Sequence, residues 1–243
     1  MTTRVCIIVG SGEGLGRSLA AAFARHGCDI ALVSRTEQGS RPALDAARAA
    51  RPEAKVAFYA ADATLPEVLQ QTCERIQAEM GEPDVLIYNA RGGYDPRAPL
   101  DMTYAELEQT YRLEVIGAFA AAKAVMPGMI RRGRGSVLFS SATAAFRGSA
   151  DNPLFAIGKF GVRALAQSLA KAYAKNGVHV AHVRLDCSLD APAVRKVFGE
   201  NIDKELLANT DDVAASYVWL HQQPKSAWSN EVELRPYTEK WTY

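Results

Sequence analysis

The chain has 243 residues, 48% of them hydrophobic and 23% charged, and its 28 basic against 27 acidic side chains leave a formal net charge of +1. This is the composition of one globular domain near the upper end of single-domain size, with no general attraction for nucleic-acid backbones or anionic lipid. Apolar residues come in short runs broken by charge, below the ~18 needed to span a bilayer, and Met1 to Arg4 lead straight into a strand-like run. The expectation is a cytoplasmic protein that handles a small-molecule substrate, without nucleic-acid or membrane partners.

In chain order, the sequence predicts a strand over Val5 to Val9, a helix over Leu15 to His26, a strand over Ile30 to Ser34, a helix over Arg41 to Ala50, a strand over Val56 to Ala60 and a helix over Pro66 to Met80. Strands follow at Val85 to Tyr88, Ser136 to Ser140, Val178 to Leu185 and Glu231 to Leu234, with helices at Tyr104 to Ile130, Pro153 to Lys175 and Asp211 to Gln222. Apolar or β-branched runs alternating with Ala-rich stretches of helical period build βαβ units and a parallel sheet. No Ser/Gly-rich linker or internal repeat divides the chain, so residues 1–243 read as a single α/β domain of the doubly wound Rossmann type with about seven mostly parallel strands. Such sheets bind ligands beyond the carboxyl ends of their strands.

Cys6, Cys28, Cys73 and Cys187 lie far apart with no C-x-x-C pair, which points to free thiols. His179 and His182 are three apart in a strand and fall on opposite faces, so no metal site is predicted.

Gly10-Ser11-Gly12-Glu13-Gly14-Leu15-Gly16 joins the first strand to the first helix. Gly10 permits a tight turn, Gly14 lets the backbone approach a pyrophosphate, and Gly16 allows the helix to pack closely on the strand, while the helix N-terminus offers unpaired N–H groups. The strand before and the helix after make this a dinucleotide site rather than a bare turn.

The G-x-x-x-G-x-G spacing resembles the short-chain dehydrogenase/reductase superfamily, and further similarities extend along nearly the whole chain. Asp62, followed by Ala63, resembles the acidic residue that contacts adenine there. Asn89-Ala90 resembles the start of the family's N-N-A-G motif, with Tyr88 and Arg91 in place of the flanking Asn and Gly. The resemblance implies a nicotinamide dinucleotide bound by Gly10, Ser11, Gly14, Leu15, Gly16, Ser34, Arg35, Asp62, Ala63, Asn89, Ala90 and Lys159. An acidic residue ending the second strand would accept a ribose 2′-hydroxyl and repel a 2′-phosphate. Ser34 and Arg35 stand there instead, a hydroxyl donor and a guanidinium suited to phosphate, so NADP(H) is favoured over NAD(H), with Glu13 opposing that preference.

The family's proton-transfer residues are mostly replaced. Where the resemblance implies Y-x-x-x-K, the chain reads Phe155-Ala156-Ile157-Gly158-Lys159, and a benzyl ring exchanges no proton. The substrate-binding Ser corresponds to Ala142, with Ser140 and Ser141 displaced toward the start of the strand, and the Asn of the preceding helix corresponds to Glu114. The P-G-x-x-x-T segment after the sixth strand is missing from Leu185 to Ala191. The Phe155 to Lys159 stretch and the segment Ser226 to Pro236 resemble a divergent branch of the superfamily that lacks the usual Tyr and Ser. Candidates for the catalytic role are therefore Lys159, Tyr94 and Ser141, with Thr143, Asp151 and Glu114 on the same rim. Tyr94 is a phenol near Arg91 and Arg97, Glu114 is either a buried acid or a partner of Lys159 or Lys123, and Asp151 most simply caps the helix at Pro153.

Three functions fit these residues: an NADP(H)-dependent oxidoreductase with a substitute proton donor or an already activated substrate, a non-catalytic nucleotide-binding sensor or scaffold, and a non-redox enzyme on the same pocket. The resemblance also implies a homodimer or homotetramer built on the helices Tyr104 to Ile130 and Pro153 to Lys175, and a substrate lid falls between Asp186 and Asn209.

Overall fold

The computed structural model describes residues 4–93, 95–199 and 201–239. Its central sheet runs β1 (Arg4–Val9), β2 (Cys28–Ser34), β3 (Val56–Ala60), β4 (Val85–Tyr88), β5 (Gly135–Ala142), β6 (Val178–Leu185) and, after a short β7 (Ser188–Leu189) and β8 (Leu207–Ala208), β9 (Glu231–Leu234). The seven long strands lie in the order β3-β2-β1-β4-β5-β6-β9, every pair parallel. The direction of strand addition reverses between β1 and β4, where Val9 pairs with Val33 on one side and Tyr88 on the other.

Helices cover both faces, as parallel strands require. On one face α1 (Leu15–Arg25), α2 (Glu37–Ala50) and α8 (Thr210–Gln222) pack on Ile8, Leu32, Ile87, Leu138 and Val183. On the other α3 (Pro66–Met80), α5 (Gly117–Arg132) and α6 (Pro153–Tyr173) pack on Ile7, Val33, Tyr88 and Phe139. Val5 through Val9 are at most 1% exposed, which is why that strand reads as an unbroken apolar run.

Two helices depart from the periodicity. The second begins at Glu37, four residues ahead of the expected Arg41, because the Thr36 hydroxyl accepts a hydrogen bond from Gly39 N and closes the first turn despite Gly39 and Pro42. The expected helix Tyr104 to Ile130 is α4 (Tyr104–Tyr111), a π-helical turn over Arg112–Ile116, and then α5. Thr103 and Glu106 form a reciprocal capping box at its start. The combined segment Tyr104–Arg132, 29 residues long, is apolar enough by length and composition to cross a membrane, which qualifies the expectation of short apolar runs; over half of its most apolar stretch is buried inside the domain.

The segment between β6 and α8 holds a two-stranded parallel ribbon, Ser188 and Leu189 against Leu207 and Ala208, which brackets α7 (Pro192–Phe198). Asp151 caps nothing: Asn152 occupies the N-cap of α6 without a side-chain bond, and the Asp151 carbonyl accepts from Arg97 N. His179 and His182 do face opposite sides of β6, the first stacking on Trp228 and the second against Phe146.

Candidate active site

The strand order brings the segments following β1, β2, β3, β4 and β5 to one edge of the sheet, and with them all the expected site residues that are described. Tyr94 lies outside the described residues. The glycine turn is fixed from both sides. Gly10 N donates to Val33 O of β2, and Asn89 Nδ2 donates 2.9 Å to Gly10 O. Gly10 has φ +91°, and a Cβ there would overlap the Asn89–Ala90 peptide; a Cβ on Gly16 would come 2.7 Å from Gly10 O. Gly14 is the N-cap of α1, with no side-chain cap bond and no acidic residue in the first turn. The first N–H groups of α1 therefore keep their donor capacity for an anion, the arrangement that holds a dinucleotide pyrophosphate.

Along the same edge, Asp62 Oδ1 accepts from Thr64 N and Oγ1 at 2.9 and 2.8 Å, which fixes the carboxylate next to the buried Ala63. Ala90 packs against Gly10. Arg35 is exposed, as are Glu13 and Glu37. Ser34 is not the donor the sequence suggested. Its hydroxyl donates to Thr36 O at 3.0 Å and lies 2.7 Å from Ser40 Oγ, which in turn lies 2.7 Å from Ser11 Oγ.

Lys159 is held deep at this edge. Its Nζ donates to Glu114 Oε2 at 2.8 Å and to Ser140 O at 3.3 Å, and the two charged side chains are only 3% and 2% exposed. The second carboxylate oxygen of Glu114 accepts from Gly92 N at 3.1 Å, so the pair also ties down the chain after β4. Of the alternatives for Glu114, its partner is Lys159. The π turn presents Glu114 inward and leaves Leu113 O free to accept from the Tyr88 hydroxyl. Burial, with the carboxylates of Glu114 and Asp62 nearby, pushes the Tyr88 phenol well above its ordinary range, so it stays a neutral donor.

Phe155 lies with its ring centre 5.5 Å from Lys159 Nζ. It shares a recess of about 370 Å³ with Thr143, Ala144, Arg147, Gly148, Ser149 and Asn152. Ser141 is 4% exposed and its hydroxyl has no hydrogen-bond partner among the described residues. By strand alternation it shares the side of Phe139, toward α5 and α6, whereas the Ser140 hydroxyl on the opposite side bonds Tyr217 of α8 at 2.8 Å. Ala142 ends β5 opposite Leu185 and carries no polar group. Beyond it, Thr143 donates to the Asp186 carboxylate, whose other oxygen pairs with Arg235. Burial lifts the Cys187 thiol to about 12, which leaves it unreactive at neutral pH.

Sequence reasoning missed Ser40, Tyr88 as a hydrogen-bonding group, and the Asp186–Arg235 pair. Each depends on contacts between segments with no spacing signature, although the missing glycine and asparagine around Asn89 marked the position of Tyr88.

The short chain dehydrogenase family profile matches residues 4–195. The chain is 25% identical over 244 residues to an uncharacterised oxidoreductase of Staphylococcus saprophyticus, covering 96% of this chain and 97% of that one. It is 27% identical over 252 residues to glycine betaine reductase of Emericella nidulans, covering 98% of this chain and 19% of the relative's length. Among solved structures, the alcohol dehydrogenase of the archaeon Thermococcus sibiricus, complexed with 5-hydroxy-NADP, superposes with a TM-score of 0.85 at 21% identity over the full length of both chains. With a family match over most of its length and a seven-stranded sheet bearing the glycine turn at its carboxyl edge, the chain belongs to the short-chain dehydrogenase family of oxidoreductases.

Proposed function

We propose that the protein is an NADP(H)-dependent oxidoreductase with a non-standard active site, of a branch lacking the usual Tyr and Ser. The observation that carries this reading is the position of Lys159, set beside the Phe155 ring at the same edge as the uncapped α1 N-terminus. The nicotinamide supplies or accepts the hydride. Gly10, Gly14 and Gly16 give its pyrophosphate a close backbone approach, Asp62 and Ala63 lie at the adenine end, Asn89 and Ala90 brace the turn, and Lys159 orients the inner ribose. Arg35 and the NADP in the Thermococcus sibiricus complex support NADP(H) over NAD(H).

Phe155 and Ala142 supply no proton, so the substrate is one that needs no strong general acid, such as an iminium or an enone, or one that draws its proton from bound water beside Ser141. Losing a general acid costs about 10² to 10⁴ in rate, which slows hydride transfer without abolishing it. NADPH consumption measured against a panel of carbonyls, enones and cyclic imines tests this. Turnover of a member supports it, and silence across the panel with tight NADPH binding favours a second reading, a non-catalytic nucleotide sensor, for which the commitment of Lys159 to Glu114 speaks.

We further propose a cytoplasmic homo-oligomer paired through α4, α5 and α6, with 186–209 as the substrate lid. Tyr111, Phe119, Ile157 and Phe160 on these helices, each 36–45% exposed, support that pairing.

A further inference from the structure

The recess of about 370 Å³ that Phe155 shares with the loop after β5 has a single charged residue in its wall among the described residues, Arg147, and no acidic one. The acids nearest to it in the fold are already matched. Asp186 accepts from Thr143 and pairs with Arg235, Glu114 pairs with Lys159, and Asp95 and Glu106 both pair with Arg97. Ser149, also in the wall, has its oxygen occupied by Asn152 N at 2.9 Å, which leaves its proton to give. The wall is therefore a cation beside a hydroxyl donor, facing a benzyl ring.

The backbone that carries Arg147 is anchored from below. Phe146 N donates to Thr143 O at 2.9 Å and closes a 3₁₀ turn. The Phe146 ring is gripped by two guanidinium groups, with Arg163 Cζ 3.6 Å and Arg184 Cζ 4.2 Å from the ring centre. Those arginines are themselves held by Glu231 and Glu233 of β9. At the far end of the loop the Asp151 carbonyl accepts from Arg97 N at 2.8 Å. With residue 146 clamped, Arg147 is presented to the recess from a fixed base, and a charged ligand group need not order the loop in order to bind.

We propose that the substrate is a small carboxylate, with its charge received by Arg147 and its apolar part laid on the Phe155 ring. A recess of this volume is at the small end of ligand sites. A single planar guanidinium fork matches a carboxylate through two parallel hydrogen bonds, whereas a phosphate dianion calls for a second cation that the wall lacks. Arg147 is then a specificity residue of a reaction whose acceptor carbon needs no strong acid, so unsaturated or imino acids are the class that fits.

This substrate class rests on the oxidoreductase reading of the recess, and binding without turnover separates the two. Benzoate, benzamide and phenyl phosphate are titrated calorimetrically into wild-type protein and Arg147→Gln, each saturated with NADP⁺ so that the nucleotide site is filled. Benzoate is expected to bind the wild type at least about tenfold more tightly than benzamide, and more tightly than phenyl phosphate. Arg147→Gln brings benzoate to within about twofold of benzamide and leaves benzamide and the thermal midpoint unchanged. In turnover, imino and unsaturated acids are expected to exceed their methyl esters about tenfold in kcat/KM, through KM, and Arg147→Gln removes the difference. Equal binding of benzoate and benzamide, or benzoate binding untouched by Arg147→Gln, overturns the proposal, and phenyl phosphate binding as tightly as benzoate overturns the choice of a carboxylate. Arg147-dependent benzoate binding with no turnover of any acid or ester keeps the anion site and sinks the oxidoreductase reading, while turnover of esters as fast as acids does the reverse.

Discussion

Lys159 and Glu114 form an ion pair 2.8 Å long with both side chains sealed from solvent, joining α6 to the π turn in the helix opposite. In that medium each charge depends on the other. Glu114→Ala leaves an uncompensated buried ammonium, and the expected loss is about 3–5 kcal/mol of stability. The pair itself is replaceable, so Glu114→Leu combined with Lys159→Met recovers most of that loss. Urea unfolding at neutral pH of the single and double variants checks both statements, and a double variant no more stable than Glu114→Ala contradicts the account.

Restoring the missing hydroxyls tests the site from the chemical side. The Phe155 ring centre lies 5.5 Å from Lys159 Nζ, so the hydroxyl of Phe155→Tyr enters the field of an ammonium that lowers its pKa. Combined with Ala142→Ser, the change is expected to raise carbonyl reduction by at least about tenfold. Initial rates of NADPH oxidation decide it. No gain in a double variant that still binds cofactor means that Ala142 does not face the reacting carbon.

Gly158 gives a second way to perturb the ion pair. A Cβ at this position would stand 2.7 Å from Glu114 Cγ and 3.2 Å from Thr110 Cγ2. Gly158→Ala should cost about 1–3 kcal/mol through overpacking, offset in part by the better helix propensity of alanine. Thermal unfolding is the measurement. An unchanged or raised midpoint would show that α6 can move away from the π turn freely.

Acid sensitivity is expected from His182. It is fully buried, and desolvation brings it from 6.5 down to about 4, with the cations of Arg163, Lys159 and Arg184 adding to the shift and Glu231 opposing it. Between these values the unfolded chain takes the proton and the folded one does not. Stability is whole above pH 6.5, declines as pH falls toward 4, and loses nothing further from this group below that, about 3 kcal/mol in all. Half-buried His221, also lowered to about 4 mainly by burial, acts in the same direction. His182→Leu should therefore flatten the decline between pH 7 and 4.5 by about half, read from urea midpoints.

The sequence carried the fold because its signals are local. Strand ends at Val9, Tyr88 and Leu185 and the turn at Gly10 are set by apolar runs and by a glycine, and the structure places them there. The site was legible where it follows such a signal, as at Asn89 and Lys159. The π turn was not, because one inserted residue leaves the apolar pattern of Tyr104 to Ile130 looking like an unbroken helix. Nor was the Thr143, Asp186 and Arg235 cluster, whose members are 43 and 49 residues apart and meet only because β5, β6 and β9 are neighbours. The start of α2 at Glu37 was hidden behind Gly39 and Pro42, and with it the contact of Ser40 with Ser34.

Gly14 and Ala191 nearly touch: a Cβ on the glycine would sit 3.1 Å from the alanine methyl. Ala191 is also the N-cap of α7, and the neighbouring Asp190 is stapled to Ala208 through its backbone and to Arg195 through its carboxylate. The turn on which a pyrophosphate would lie and the N-terminus of α7 are thus packed directly against each other. A side chain at position 14 would therefore push on the start of α7 as well as crowd the turn, so the glycine serves both segments at once.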